Sequence, residues 1–257
     1  ASSASASATI AAAVATKMDA SETQHTPLFT VMEAASDTST NLRTQFQSFA
    51  NKRVVVCAGD IVAQDSTNGS RLATVSAGRA VEPRIAQTSV EEAIGWIGHP
   101  KKALAIVTSL STDLHTTLDG ERFTTLYQVP GKTGFYVCTG QTMAAVGSDY
   151  ALLQNLRVID KATRLARARA LDFVQAKIRC DATTGYILET EAKKIEGELN
   201  AVVRPMVDAD EAVAASCTIK RDENIVSTQN MTITVRVQPF GYPRTIALDM
   251  GFTAIGA

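Results

Sequence analysis

A chain of 257 residues, 45% hydrophobic and with a formal net charge of -1, is long enough to bury a substantial core as one large domain or two small ones. That balance excludes wholesale disorder and a generic polyanion binder. The four cysteines, Cys57, Cys138, Cys180 and Cys217, lie far apart with no CxxC pair and no nearby histidine to complete a zinc set, so they read as reduced, mostly buried thiols of a cytoplasmic protein. No apolar run approaches the roughly 20 residues that cross a bilayer, and no basic segment precedes an apolar stretch at the start of the chain.

The first residues, ASSASASATIAAAVATK, are low-complexity Ala/Ser text of the kind found in linkers and loosely held arms, with helical character over Ile10 to Val14. From Ser36 the pattern changes. Ser36 or Asp37 caps a helix carrying Leu42, Phe46 and Phe49, and the apolar run Val54 to Ala58 follows as a buried strand. The polar stretch Asp65 to Ser70 is a turn. Beyond it, Ser89 with Glu92 three residues later has the form of a capping box and predicts a second helix starting there. Ala103 to Leu110 and Gly134 to Gly140 are short strand-like runs. Alternating strand and helix signals predict an α/β (mixed α+β) fold with a central mixed sheet flanked by helices.

The last hundred residues are the most periodic. Ile159, Ala162, Leu165, Ala166, Phe173 and Val174 share one side of a long helix, with Arg157, Lys161, Arg164 and Arg167 over much of the other. DATTG (Asp181 to Gly185) breaks it. A further helix spans Glu191 to Val207, carrying Ala192, Ile195, Leu199, Val202, Val203 and Met206, with Pro205 near its end. Two half-buried antiparallel strands close the chain. Met231, Ile233, Val235 and Val237 alternate with Thr232, Thr234 and Arg236, and Ile246, Leu248, Met250 and Phe252 alternate again after FGYP.

Catalytic and cofactor chemistry finds little support in these residues. PGKTG (Pro130 to Gly134) has the lysine and threonine of a phosphate loop. The first glycine of GxxxxGK[ST] would have to stand at Leu126, however, and the segment enters a strand rather than a helix, so it reads as a hairpin turn. No GxSxG elbow exists, and His25, His99 and His115 sit in linker-like or turn contexts. Glu189, Glu191, Glu196 and Glu198, with Lys193 and Lys194, form the solvated face of an amphipathic helix. An α/β enzyme would need a convergent nucleophile, metal set or phosphate loop; no cofactor or metal is expected. The rival reading is a nucleic-acid-binding module using the cationic face of helix 157–169. Against it stand the slightly acidic balance and the absence of interleaved aromatics, which favour an electrostatic protein–protein seam.

Segment order supplies a more specific reading. Gly134 to Gly140 with GQTM (Gly140 to Met143), then Ser148 to Arg164 entering a long helix, then ASCTIKRDENIVST, MTITVRVQP and PRTIALDMGF, resemble the contractile tail sheath proteins of phages, specifically a sheath-like branch formerly of unknown function. VVVCAGD (Val54 to Asp60) fits that family's central α/β portion. The resemblance covers residues 36 to 257 and is best from 118 onward. It implies an N-terminal arm or linker over 1–35 and a core over 36–257, divided into an α/β portion (36–117) and a helix-helix-antiparallel-strand portion (118–257).

In function, the resemblance implies a structural subunit, not an enzyme, that polymerises helically around an inner tail tube and contracts to drive the tube forward during DNA delivery. Its partners would be copies of itself, the tube protein, and baseplate and tail terminator proteins. Its place would be a virion tail assembled in the host cytoplasm, or a related injection machine. Arg157, Lys161, Arg164 and Arg167, with Met231, Ile233, Val235, Ile246, Leu248, Met250 and Phe252, are the candidate intersubunit residues. An exposed sheet edge completed by a neighbour's strand, and head-to-tail contacts that do not close, suit such a polymer.

Overall fold

The computed structural model describes residues 3–64, 71–98, 106, 108–109, 112–247 and 249. The Ala/Ser-rich start is a helix docked on the core rather than a linker. Helix α1 (Ala4–Thr23) is capped by Ser3, whose Oγ accepts from the Ala6 N–H at 3.2 Å, and buries Ala4, Ser7, Ala11 and Ala15 at helical spacing. Alanine is the best helix former and loses no side-chain entropy, and these small side chains let α1 lie close to the core. Ser7 Oγ accepts from the buried Ala35 N–H at 2.8 Å, so the polar member of the stripe is satisfied.

Strand β1 (Thr30–Glu33) pairs in parallel with β2 (Val54–Cys57), joined by helix α2 (Ser39–Phe46). Thr38, not Ser36 or Asp37, is the cap of α2; the Asp37 carboxylate accepts instead from the Thr38 N–H and the Asn41 amide. All four residues of β2 are buried because the strand is a wall between two cores. Val54 and Val56 face α1, Leu42, Phe46, Leu118, Phe123 and Met143. Val55 and Cys57 face Ile61, Val81, Ile85, Ile94, Leu126 and Val137. Strict alternation between two apolar layers explains the unbroken VVVC run.

The expected central mixed sheet is not seen among the described residues. Among the described residues the sheets are small: β1 with β2; β3 (Asp60–Gln64) between β4 (Leu72–Ser76) and β5 (Thr108–Ser109); β6 (Leu126–Tyr127) with β7 (Tyr136–Val137); and β8 (Ala214–Ile219) with β9 (Ile233–Gln238). The second side of β2 shows why. It is bonded at one end by Met143 and at the other by Thr124, from two separate loop segments, so no continuous ladder develops. PGKTG lies between the antiparallel β6 and β7, as a hairpin connection. The polar turn at 65–70 lies outside the described residues, as does most of the strand expected over 103–110.

The helix expected from Ser89 is absent. Helix α3 (Gly78–Gln87) ends before it, and the chain then runs as turns to Gly98. The Ser89 N–H does donate to Glu92 Oε2 at 3.2 Å, so half of the capping box forms without a helix. Tertiary contact decides the path: Gly95 lies so close to the Cys138 carbonyl that no Cβ fits, and Ile94 presses on Gly140 in the same way.

Past the short helix α4 (Thr112–Leu118) and the β6–β7 hairpin comes helix α5 (Leu153–Ala170). Its N-terminal half packs into the β2 core through Leu153 and Leu156, and its C-terminal half meets helix α6 (Glu189–Asp208) and the β8–β9 sheet. Val158 rather than Ile159 is fully buried, and Asp160 is buried beside it at 6% exposure. Asp160 accepts from the Arg53 guanidinium, itself 3% exposed, whose other N–H groups reach Glu22 at the end of α1. This buried pair ties α1, the start of β2 and α5 together. A surface cavity of about 190 Å³ lined by Glu22, His25, Arg53, Tyr150 and Asp160 opens beside it. Burial pushes the Asp160 carboxyl up, and Arg53 opposes it. Glu22 lies below the ordinary range: partial burial would raise it, but bonds from Arg53 and Lys52 prevail.

Candidate self-association surface

The β8–β9 sheet follows directly from alternation. The register pairs Ala215 with Val237, Cys217 with Val235 and Ile219 with Ile233, so these side chains share the face turned to α5 and α6. Ser216, Thr218, Thr234 and Arg236 share the other face. Met231, Ile233 and Val235 are half-buried in the inner core with Leu199, Val203 and Ile195. Their side chains pack against the inner core, and what the strand offers at its edge is backbone. The Lys220 N–H donates to the Thr232 carbonyl at 3.0 Å, which puts the even-numbered residues of β9 in the ladder with β8. In an antiparallel strand the intervening groups point the opposite way. The N–H and C=O groups of Ile233, Val235 and Val237 thus form an outer edge that no described residue occupies.

The basic face of α5 is less open than its sequence implies. The Arg157 guanidinium folds inward, donating to the carbonyls of Thr88 at 2.7 Å and Ser89 at 3.1 Å, and burial lowers its pKa despite Glu91 and Glu92 nearby. Lys161 pairs with Glu211, and Arg169 pairs with Asp172 and Glu198 while lying over the Phe173 ring. Arg164, which is exposed, and Arg167, half-buried, have no ion pair among the described residues. A phosphate tracking this face would meet two available cations in place of five. Of the final alternating segment, Ile246 is 79% exposed and in no strand; Leu248, Met250 and Phe252 lie outside the described residues.

Three of the thiols are moved away from the reactive thiolate. Burial pushes Cys57 up, and burial together with the adjacent Asp119 pushes Cys138 up to about 12. Cys217 is raised by burial. All four cysteines are free. The His115 ring stacks on Tyr127 with centroids 4.7 Å apart. Among the described residues no helix is long and apolar enough to cross a membrane.

Two groupings escape sequence reasoning. One is the Arg53–Asp160–Glu22 cluster, whose members are 31 and 107 residues apart. The other is Glu189, Glu196 and Arg221. Glu196 accepts from the Ile219 N–H at 2.7 Å and pairs with Arg221 at 2.8 Å, and Arg221 also holds Glu189 at 2.7 Å. The helix-face reading of these carboxylates holds for the Lys193–Glu189 and Lys194–Glu191 neighbours but not for Glu196. Its only signal in sequence is its i,i+4 spacing from Asn200 on the side of α6 that meets β8.

The chain matches the DUF2586 N-terminal domain over residues 1–141 and the DUF2586 C-terminal domain over residues 149–255. It is 26% identical over 145 residues to a putative tail sheath protein of Haemophilus phage HP1, covering 52% of this chain and 36% of that protein. Among solved structures it is similar to the anti-feeding prophage helical sheath in its contracted state. That match has a TM-score of 0.61 and 12% identity, over 93% of this chain and 65% of that one. It is also similar to the contracted sheath complex of an extracellular contractile injection system, PVC, at TM-score 0.63 and 12% identity over 88% and 64%. A third likeness is to a sheath tail protein from Desulfitobacterium hafniense, at TM-score 0.54 and 10% identity over 90% and 54%. The chain spans about a third of the length of the phage relative and about two thirds or less of these structures.

Proposed function

We propose that this chain, which belongs to the DUF2586 family, is the core of a structural subunit of a contractile tail sheath. It polymerises helically around an inner tube and contracts to drive that tube forward. The observation that carries this reading is the likeness to a helical sheath subunit over 93% of the chain, combined with a two-stranded C-terminal sheet whose outer edge on β9 is unpaired among the described residues. An unpaired edge is a hazard in a monomer and a joint in a polymer. Head-to-tail joints that do not close on themselves generate a filament.

Arg164 and Arg167 lie on α5, whose C-terminal half packs beneath the β8–β9 sheet, and are the cations of the α5 basic face that have no ion pair among the described residues and can meet a neighbour's carboxylates. The partners are further copies of the chain, with a tube protein inside and a baseplate at the end of the tube. The role requires no catalytic group or cofactor. Energy for contraction resides in the difference between two packings of the same subunit contacts.

Negative-stain electron microscopy of the purified protein at moderate salt tests the proposal. Hollow tubes or stacked rings are the expected result. Uniform monomers across a wide range of protein concentration and salt would refute it, and DNA binding whose affinity falls steeply with salt would replace it with the nucleic-acid reading.

A further inference from the structure

The two edges of the β8–β9 sheet are not equivalent. On β8, the residues whose backbone groups point away from β9 include Cys217 and Ile219, and both are already bonded by side chains. Asn200 Oδ1 accepts from the Cys217 N–H at 2.7 Å while Asn200 Nδ2 donates to the Cys217 carbonyl at 3.2 Å. Glu196 Oε1 accepts from the Ile219 N–H at 2.7 Å and Arg221 Nη1 donates to the Ile219 carbonyl at 2.8 Å. Glu196 and Arg221 are bonded to each other, and Glu189 holds Arg221 from its far side. The side-chain amide thus presents to Cys217 the same donor and acceptor that a neighbouring strand would.

The geometry is a match of repeats. Four residues along a helix rise about 6 Å, and two residues along a strand advance about 6.8 Å. Glu196 and Asn200, one helical turn apart on the same side of α6, therefore meet alternate residues of β8 in step. Among the described residues nothing comparable meets Ile233, Val235 and Val237 on β9.

We infer that Glu196, Asn200 and Arg221 form a lock that closes β8 to strand addition, leaving the outer edge of β9 as the joint for an extended strand of a second copy of the chain. The inference rests on the sheath reading for its occupant. It supplies what a helical polymer needs and a symmetric two-edged sheet lacks, a single permitted side for the incoming strand. A strand added to β8 would have to displace four side-chain bonds. One added to β9 satisfies groups that have no partner among the described residues.

Amide hydrogen exchange on the whole chain, before and after assembly, tests it. In the free subunit the amides of Cys217 and Ile219 should exchange at least tenfold more slowly than those of Ile233, Val235 and Val237. Assembly should protect the 231–238 segment and leave 213–220 unchanged. In Glu196→Ala/Asn200→Ala, exchange at Cys217 and Ile219 should accelerate about tenfold while β9 is unaffected. New protection on 213–220 in wild-type tubes, or no acceleration in the double variant, overturns the lock. Failure to assemble at all instead refutes the sheath reading and removes the joint, whereas the free-subunit pattern still measures the lock.

Discussion

Replacing Arg53 by Met removes the only cation, among the described residues, within bonding reach of Asp160, whose side chain is 8% exposed. Breaking one partner of a buried pair costs about 3–5 kcal/mol, because the remaining charge must be desolvated without compensation. The cavity of about 190 Å³ beside the pair gives water a route to the carboxylate, which places the cost at the lower end, about 3 kcal/mol. For a chain of this size that corresponds to a fall of roughly 6–12 °C in Tm, read by circular dichroism on the unassembled protein at pH 7 alongside a urea titration.

The pH dependence supplies an independent check. Burial already raises the Asp160 pKa, and without Arg53 it rises further. A carboxyl with a raised folded pKa contributes fully below its unfolded value and loses that contribution as pH climbs through the folded one. The deficit of Arg53→Met should therefore be small near pH 4 and grow toward neutrality. Adding Asp160→Leu should recover much of the loss, since neither buried charge remains. A deficit under about 1 kcal/mol, the range of surface pairs, or one that is the same at pH 4 and pH 7, would refute the reasoning.

Phe46→Ala empties the centre of the α1–α2–β2 core, where the ring meets Phe123 at 5.3 Å and Phe49 at 5.9 Å edge-on, and should cost about 3–5 kcal/mol in the urea midpoint. Glu196 and Glu189 are held below the ordinary carboxylate range by bonds from Arg221. Their contribution is present above the usual carboxylate pKa of about 4.3 and lost as pH falls through the lowered folded values. Urea midpoints should thus decline on acidification below that point, and Arg221→Ala should flatten the decline. Charge reversal at Arg164 and Arg167, neither of which makes an ion pair among the described residues, should leave Tm of the free subunit within about 2 °C, while abolishing tubes in negative stain.

Much of the C-terminal half was legible from sequence because its signals are strictly periodic. The α6 stripe of Ala192, Ile195, Leu199, Val203 and Met206 is buried as expected, and the Ile233–Val235 alternation appears as β9 facing the same core. Amphipathic period alone determines such elements, since one face must leave water. The VVVC run was equally readable as a buried strand.

The misreadings share one cause. Alanine and serine carry almost no hydrophobic contrast, so a docked helix such as α1 looks like a linker until its partner surface is in place. A capping box names a possible helix start, yet the contact of Gly95 with Cys138 outweighs it and keeps 90–98 in turns. Local pattern also cannot show which polar side chains a helix turns inward. Arg157 and Glu196 read as surface residues and are instead bonded to carbonyls and a strand edge, while Arg53 and Asn200, which no sequence pattern marks, bond a buried carboxylate and the same strand edge. Sequence by itself determined the elements that bury an apolar face and the family to which their order belongs. The tertiary structure alone decided which cations remain available and which sheet edge stays open, because hydrogen bonds between residues tens of positions apart exist only once packing has brought them together.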